Sequence, residues 1–147
     1  MRSKLLHEAN GERTFAVILE TGDEIVSSLD TFADENGLEA ATFKAIGALS
    51  EATLAYFDWD RKEYLPIPVS EQVEVASLTG DIATGPDGKP AIHVHAVLGK
   101  RDGSAIAGHL KSGTVRPTLE IVLTETPGHL RKRFDPSIGI ALIDPGL

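Results

Sequence analysis

Hydrophobic and polar positions in this chain follow a helical period over one early segment and a strand-like pattern over most of the rest. Glu12 to Glu20 contains Thr14-Phe15-Ala16-Val17-Ile18-Leu19, an apolar, partly β-branched run that predicts a first strand. Thr21-Gly22-Asp23-Glu24 then has the form of a capping box, with Thr21 as cap and Glu24 three residues on. Ile25, Val26, Leu29, Phe32 and Ala33 follow at helical spacing and form one apolar stripe, and Asn36-Gly37 offers a left-handed stop. This is the one helix the pattern predicts firmly.

Beyond it the chain reads mostly as strands. Ala40 to Ala48 is one run and Ala52 to Asp58 another. Glu63 to Val69 is extended, with Pro66 and Pro68 confining it to an edge or a connection. Gln72 to Ala83 carries Val73, Val75, Leu78 and Ile82. In Val115 to Glu125, apolar Leu119, Ile121 and Leu123 alternate with Thr118, Glu120, Val122 and Thr124. Pro127, Gly128 and Asp135-Pro136 end regular structure, leaving 126–147 as an irregular tail with an apolar finish at Ile138, Ile140, Leu142 and Ile143. The expected architecture is α+β. A single domain over 1–147, with its core over about 12–135, has a largely antiparallel sheet packed with one main helix and short helical or irregular segments.

One strand carries candidate chemistry. His93 and His95 flank Val94 in Ala91-Ile92-His93-Val94-His95-Ala96-Val97-Leu98, so both imidazoles leave one face of a sheet, about 7 Å apart at their roots. Arg101-Asp102-Gly103 suits a three-residue hairpin loop with Gly103 in the left-handed region. That loop pairs Lys100 with Ser104 and brings His95 opposite His109, which predicts a three-imidazole site for zinc or a similar divalent ion. A two-residue Asp102-Gly103 loop would instead pair His109 with Ala96, send it to the other face and dissolve the cluster. Gly85-Pro86-Asp87-Gly88-Lys89 is a second turn; closed in three residues, it sets Asp81 opposite His93 and Thr79 opposite His95. Asp81 is then either an acceptor that orients an imidazole or a plain exposed carboxylate.

Composition narrows the functions this pattern allows. The 147 residues carry 22 Asp and Glu against 14 Lys and Arg, a net charge of −8. An acidic chain neutralises few phosphates, so autonomous binding to duplex DNA should be weak or absent. Arg131-Lys132-Arg133 is the strongest basic cluster and reads as a solvated patch. The absence of cysteine excludes disulfides and thiolate metal sites and fits a cytoplasmic location. No apolar run approaches the roughly 20 residues of a membrane span, and no apolar segment of secretory type follows Arg2 and Lys4.

Several motifs, in order, resemble a known family. Ile46-Gly47-Ala48-Leu49-Ser50-Glu51-Ala52-Thr53-Leu54-Ala55-Tyr56-Phe57-Asp58 with Lys62-Glu63-Tyr64 is similar to the centre of the PPC domain, the domain conserved between plants and prokaryotes. His93-Val94-His95, Asp102-Gly103, Gly108-His109-Leu110 and Thr118-Leu119-Glu120-Ile121 resemble its second half, so the likeness runs from about Phe15 to Asp135. The resemblance implies an antiparallel sheet packed with helices, assembly as a homotrimer, and a metal site at the positions of His93, His95 and His109. In plant members the domain is fused to AT-hooks; this chain has no Arg-Gly-Arg-Pro hook, so the DNA-binding label of prokaryotic members lacks its usual carrier here. The first functional expectation is a homotrimeric metal-binding module with a regulatory or small-molecule-sensing role. The alternative is a metal-dependent enzyme, in which three histidines leave a position for an activated water and Glu120 or Asp81 serves as general base.

Overall fold

The computed structural model describes residues 1–147. Nine strands and one helix follow in the order β1 (Arg2–Ala9), β2 (Glu12–Glu20), α1 (Ile25–Asn36), β3 (Ala40–Asp58), β4 (Glu63–Val69), β5 (Val73–Thr84), β6 (Pro90–Gly99), β7 (Ala105–Glu125), β8 (Lys132–Asp135) and β9 (Ile140–Ile143). The first seven strands form one antiparallel sheet in the order β1-β2-β7-β6-β5-β3-β4. β7 also pairs with β3 along most of its length, so the succession β3–β5–β6–β7–β3 closes on itself.

The core lies between this sheet and α1. Ile25, Leu29, Phe32 and Ala33 are the buried face of the helix, as the apolar stripe predicts. They meet sheet residues such as Val17, Leu19, Leu49 and Leu98, none of which is measurably exposed. Phe32 packs edge-on against Phe15 with ring centres 5.3 Å apart, a favoured aromatic geometry. Arg13 clamps the helix end to the sheet: its Nη2 donates to Asn36 O at 2.9 Å and to Glu125 Oε1 at 2.9 Å.

Several expectations are corrected. The helix begins later than the capping box implies, and its cap is Glu24, whose carboxylate accepts from the N–H of Ser27 at 2.8 Å. Thr21 and Gly22 serve the sheet instead: Thr21 Oγ1 donates to Pro117 O, and Gly22 N donates to Val115 O. Gly37 does close the helix in the left-handed conformation, with φ 60°. The runs at 40–48 and 52–58 are one strand, β3, carried through the intervening residues by shifts of register against β7.

The last long strand starts at Ala105 rather than Val115 and therefore carries His109. β1 has no counterpart in the sequence reading, because all eight of its residues are exposed and no alternation marks them. The tail is not irregular: β8 and β9 pair as a hairpin, and no short helical segment accompanies α1. Thr84 N donates to Leu130 O at 2.8 Å and tethers that tail to the end of β5.

Candidate metal centre

Two hairpins build the candidate site. In β6 the alternation is clean: Val94, Ala96 and Leu98 are buried, so His93, His95 and Val97 leave the opposite face, away from the core. The loop to β7 is the three-residue form. Lys100 N donates to Ser104 O at 2.8 Å, Gly103 N donates to Lys100 O at 3.0 Å, and Gly103 takes φ 84°. His95 consequently pairs with His109, and the two-residue alternative does not occur. Gly108, just before His109, is needed for close approach, since a Cβ there would come within 2.8 Å of Ala55 O on β3. The β5–β6 turn is also three-residue, with Gly85 N donating to Lys89 O at 2.7 Å and Gly88 at φ 82°. It places Asp81 opposite His93 and Thr79 opposite His95.

The three imidazoles converge. Their ring centres are 5.1 Å (His93–His95), 5.3 Å (His93–His109) and 5.5 Å (His95–His109) apart. One potential ligand atom from each ring lies within 4.8 Å of the others. Burial lowers the His95 pKa, with the neighbouring His93 adding to the effect. Burial, then the charge of Lys111, holds His109 down to about 4. Both rings are therefore neutral near pH 7, the form that donates a lone pair to a metal. Nδ1 of His109 is buried without a hydrogen-bond partner. An unsatisfied buried nitrogen of this kind costs about 1–3 kcal/mol, and a bound cation is one way to satisfy such a lone pair. The residues present therefore fit a divalent ion of borderline softness held by nitrogen donors.

Asp81 sits behind the cluster. Its Oδ2 is 3.4 Å from Nδ1 of His93, a contact of the kind that orients a ligating imidazole. Oδ1 lies 3.1 Å from Nζ of Lys132, an ion pair without hydrogen-bond alignment. Burial alone would raise the Asp81 carboxyl, but contact with His93 and the charge of Lys132 hold it below the ordinary carboxylate range. Lys132 also donates to Ala91 O at 3.1 Å, and its side chain is only 7% exposed. The basic cluster of the tail is thus not a solvated patch throughout: its central lysine is buried beneath the site. Tyr64, from β4, stacks on His109 with ring centres 4.5 Å apart. Neither residue carried a local signal in the sequence, since each reaches the site through pairings distant along the chain.

Glu120 is not brought to the cluster. It is exposed, pairs with Ile18 and Ile46, and is not among the residues that converge with the three imidazoles. Within one chain, Glu120 therefore takes no part in the cluster.

Comparison with known proteins gives the same picture of the fold. No functionally curated protein matches the chain significantly. Among solved structures, a metal-containing protein from Archaeoglobus fulgidus superposes with a TM-score of 0.82 at 34% identity, over 88% of this chain and 91% of that one. A plant- and prokaryote-conserved protein from Pyrococcus horikoshii gives 0.84 at 32% identity, over 90% of this chain and 91% of the other. A structure described as a candidate DNA-binding protein from Ralstonia eutropha gives 0.82 at 33% identity, with coverages of 88% and 90%. The family model of the Plants and Prokaryotes Conserved (PCC) domain matches residues 6–127, and with these relatives it establishes that the chain belongs to the PCC-domain family.

Proposed function

We propose that this chain is a homotrimeric, metal-binding PCC-domain module in which His93, His95 and His109 hold one divalent ion, zinc in the first instance, and that it serves a regulatory or ligand-sensing role. The observation that carries the reading is the convergence of three imidazoles from β6 and β7, with ligand atoms within 4.8 Å of one another. A metal-containing protein of 34% identity adds support. Zinc suits three neutral imidazoles in the absence of thiolates, and such a site keeps a position open for a small-molecule ligand.

Support for the trimer comes from the sheet face that the helix leaves uncovered. Register places Lys44, Thr79, His95 and His109 in one row across β3, β5, β6 and β7. On the same face lie Ile46, Val97 and Val122, which are 63%, 38% and 42% exposed. Apolar side chains in that setting suit burial against further copies.

The enzymatic alternative needs a free base, and the chain offers none among the expected residues. Asp81 is engaged by His93 and Lys132, and Glu120 is not part of the cluster within one chain. The binding role is therefore preferred. Autonomous DNA binding is expected to be weak, given the net charge of −8.

Metal analysis of protein purified without a histidine tag tests the central claim. About one zinc per chain is expected. A protein that arrives empty and takes up no added zinc would end the reading.

A further inference from the structure

The rim of the histidine cluster carries a cation that metal binding does not explain. Lys111 is the extra residue of a β-bulge: on either side of it Leu110 pairs with Leu54 and Ser112 with Thr53. A bulge re-aims one side chain out of the regular alternation, and here it sends the amine over the ring of Tyr64, with Nζ 4.2 Å from the ring centre. The same ring stacks on His109. Lys111 thus shares one aromatic platform with an imidazole of the cluster. It makes no ion pair, whereas the other lysine near the site, Lys132, is matched by Asp81.

Charge balance then becomes the issue. Three neutral imidazoles and a matched Lys132–Asp81 pair leave a bound divalent ion and Lys111 without compensation from the chain. That is a surplus of positive charge at one point on a molecule of net charge −8. Uncompensated charge in a partly desolvated setting is costly, and an anion at the open side offsets it. We propose that the site takes a small ligand through a carboxylate, with Lys111 as the counter-ion at the rim of the histidine cluster.

A carboxylate fits better than a phosphate. A single amine supplies one point of positive charge, with neither the fork of an arginine nor a cradle of backbone N–H groups that the oxygens of a phosphate would engage. This inference rests on the metal reading, and its test separates the two.

Cobalt(II) accepts the same imidazole donors and reports on its surroundings through visible absorption. Cobalt-loaded protein in low-chloride buffer is titrated with acetate, with acetamide as the neutral isostere and with inorganic phosphate. The expected result is a saturable spectral change with acetate and none with acetamide. Lys111→Gln should weaken acetate binding at least about tenfold, the scale of a lost charge-assisted contact, and Lys111→Arg should restore most of it. Equal acetate affinity in Lys111→Gln, equal response to acetamide, or tighter Lys111-dependent binding of phosphate would each overturn the proposal. Failure to load cobalt at all would instead bring down the metal reading on which it stands.

Discussion

At the scale of single residues, the site depends on each imidazole supplying a neutral nitrogen at one point. His95 is central to that geometry, because it pairs with His109 and shares its strand face with His93. Replacing His95 with Ala removes one of three donors without disturbing a core position, since His95 is exposed. The expected outcome is loss of most bound metal, at least about a hundredfold in affinity, with little change in thermal unfolding of the metal-free protein. Elemental analysis and competition with a chelator measure it, and a fully occupied His95→Ala protein would refute the cluster as built. The histidines themselves were legible in the sequence, because strand alternation and a three-residue turn are local rules. Lys132 was not, because it comes from a hairpin some forty residues beyond Ala91, whose carbonyl it reaches.

At the scale of elements, the helix shows how a sequence motif can be satisfied by a neighbouring residue. Glu24 has extended backbone, bridges to Thr114 and caps α1 at the same time. Its Oε2 accepts from Ser27 N at 2.8 Å and its Oε1 from Gly113 N at 3.1 Å, so one carboxylate joins the helix start to β7. Burial by itself would raise the Glu24 pKa, but these backbone donors hold it below the ordinary value. A folded-state pKa below the unfolded one means that the contribution is present above the unfolded range, about 4.3, and is lost as pH falls through the lowered folded value. Glu24→Ala should therefore cost about 1–2 kcal/mol at pH 7, and the two proteins should converge in stability as the pH drops below about 4. Urea unfolding at several pH values checks both parts; a constant difference across that range would remove the carboxylate's charge from the explanation. Thr21 looked like the cap because the capping-box pattern specifies types and spacing, whereas the sheet had already engaged that segment through Pro117 and Val115.

At the scale of the whole molecule, two properties follow from surface rather than from core. The uncovered sheet face with Ile46, Val97 and Val122 favours self-association, and light scattering at micromolar concentration should report about three times the 15.7 kDa chain mass. A stable monomer would defeat the trimer. Duplex binding should be weak at roughly 150 mM salt, because long-range repulsion lowers affinity and the one basic cluster is partly used internally. Lys132 is buried against Asp81 and Arg133 pairs with Asp144 at 3.0 Å, which leaves Arg131 as its remaining free cation. Titration of labelled duplexes of unrelated sequence provides the measurement; submicromolar affinity falling steeply with added salt would restore a DNA-binding role.

The sequence alone determined what depends on neighbours along the chain. Apolar spacing marked α1, a continuous apolar run marked β2, alternation marked the second part of β7, and glycines at left-handed positions set both hairpin registers, which is enough to predict that His93, His95 and His109 share a face. The tertiary structure decided what depends on partners far apart in the chain. It joined two runs into β3, made a strand of the fully exposed residues 2–9, folded the tail into a hairpin and brought Lys132 and Tyr64 to the cluster. It also left Glu120 out of the cluster within one chain, although Glu120 and His109 lie on the same strand. The physical reason is that local conformation follows from steric preference and periodicity over a few residues, whereas long-range pairing is chosen by the burial and hydrogen bonding of the whole sheet.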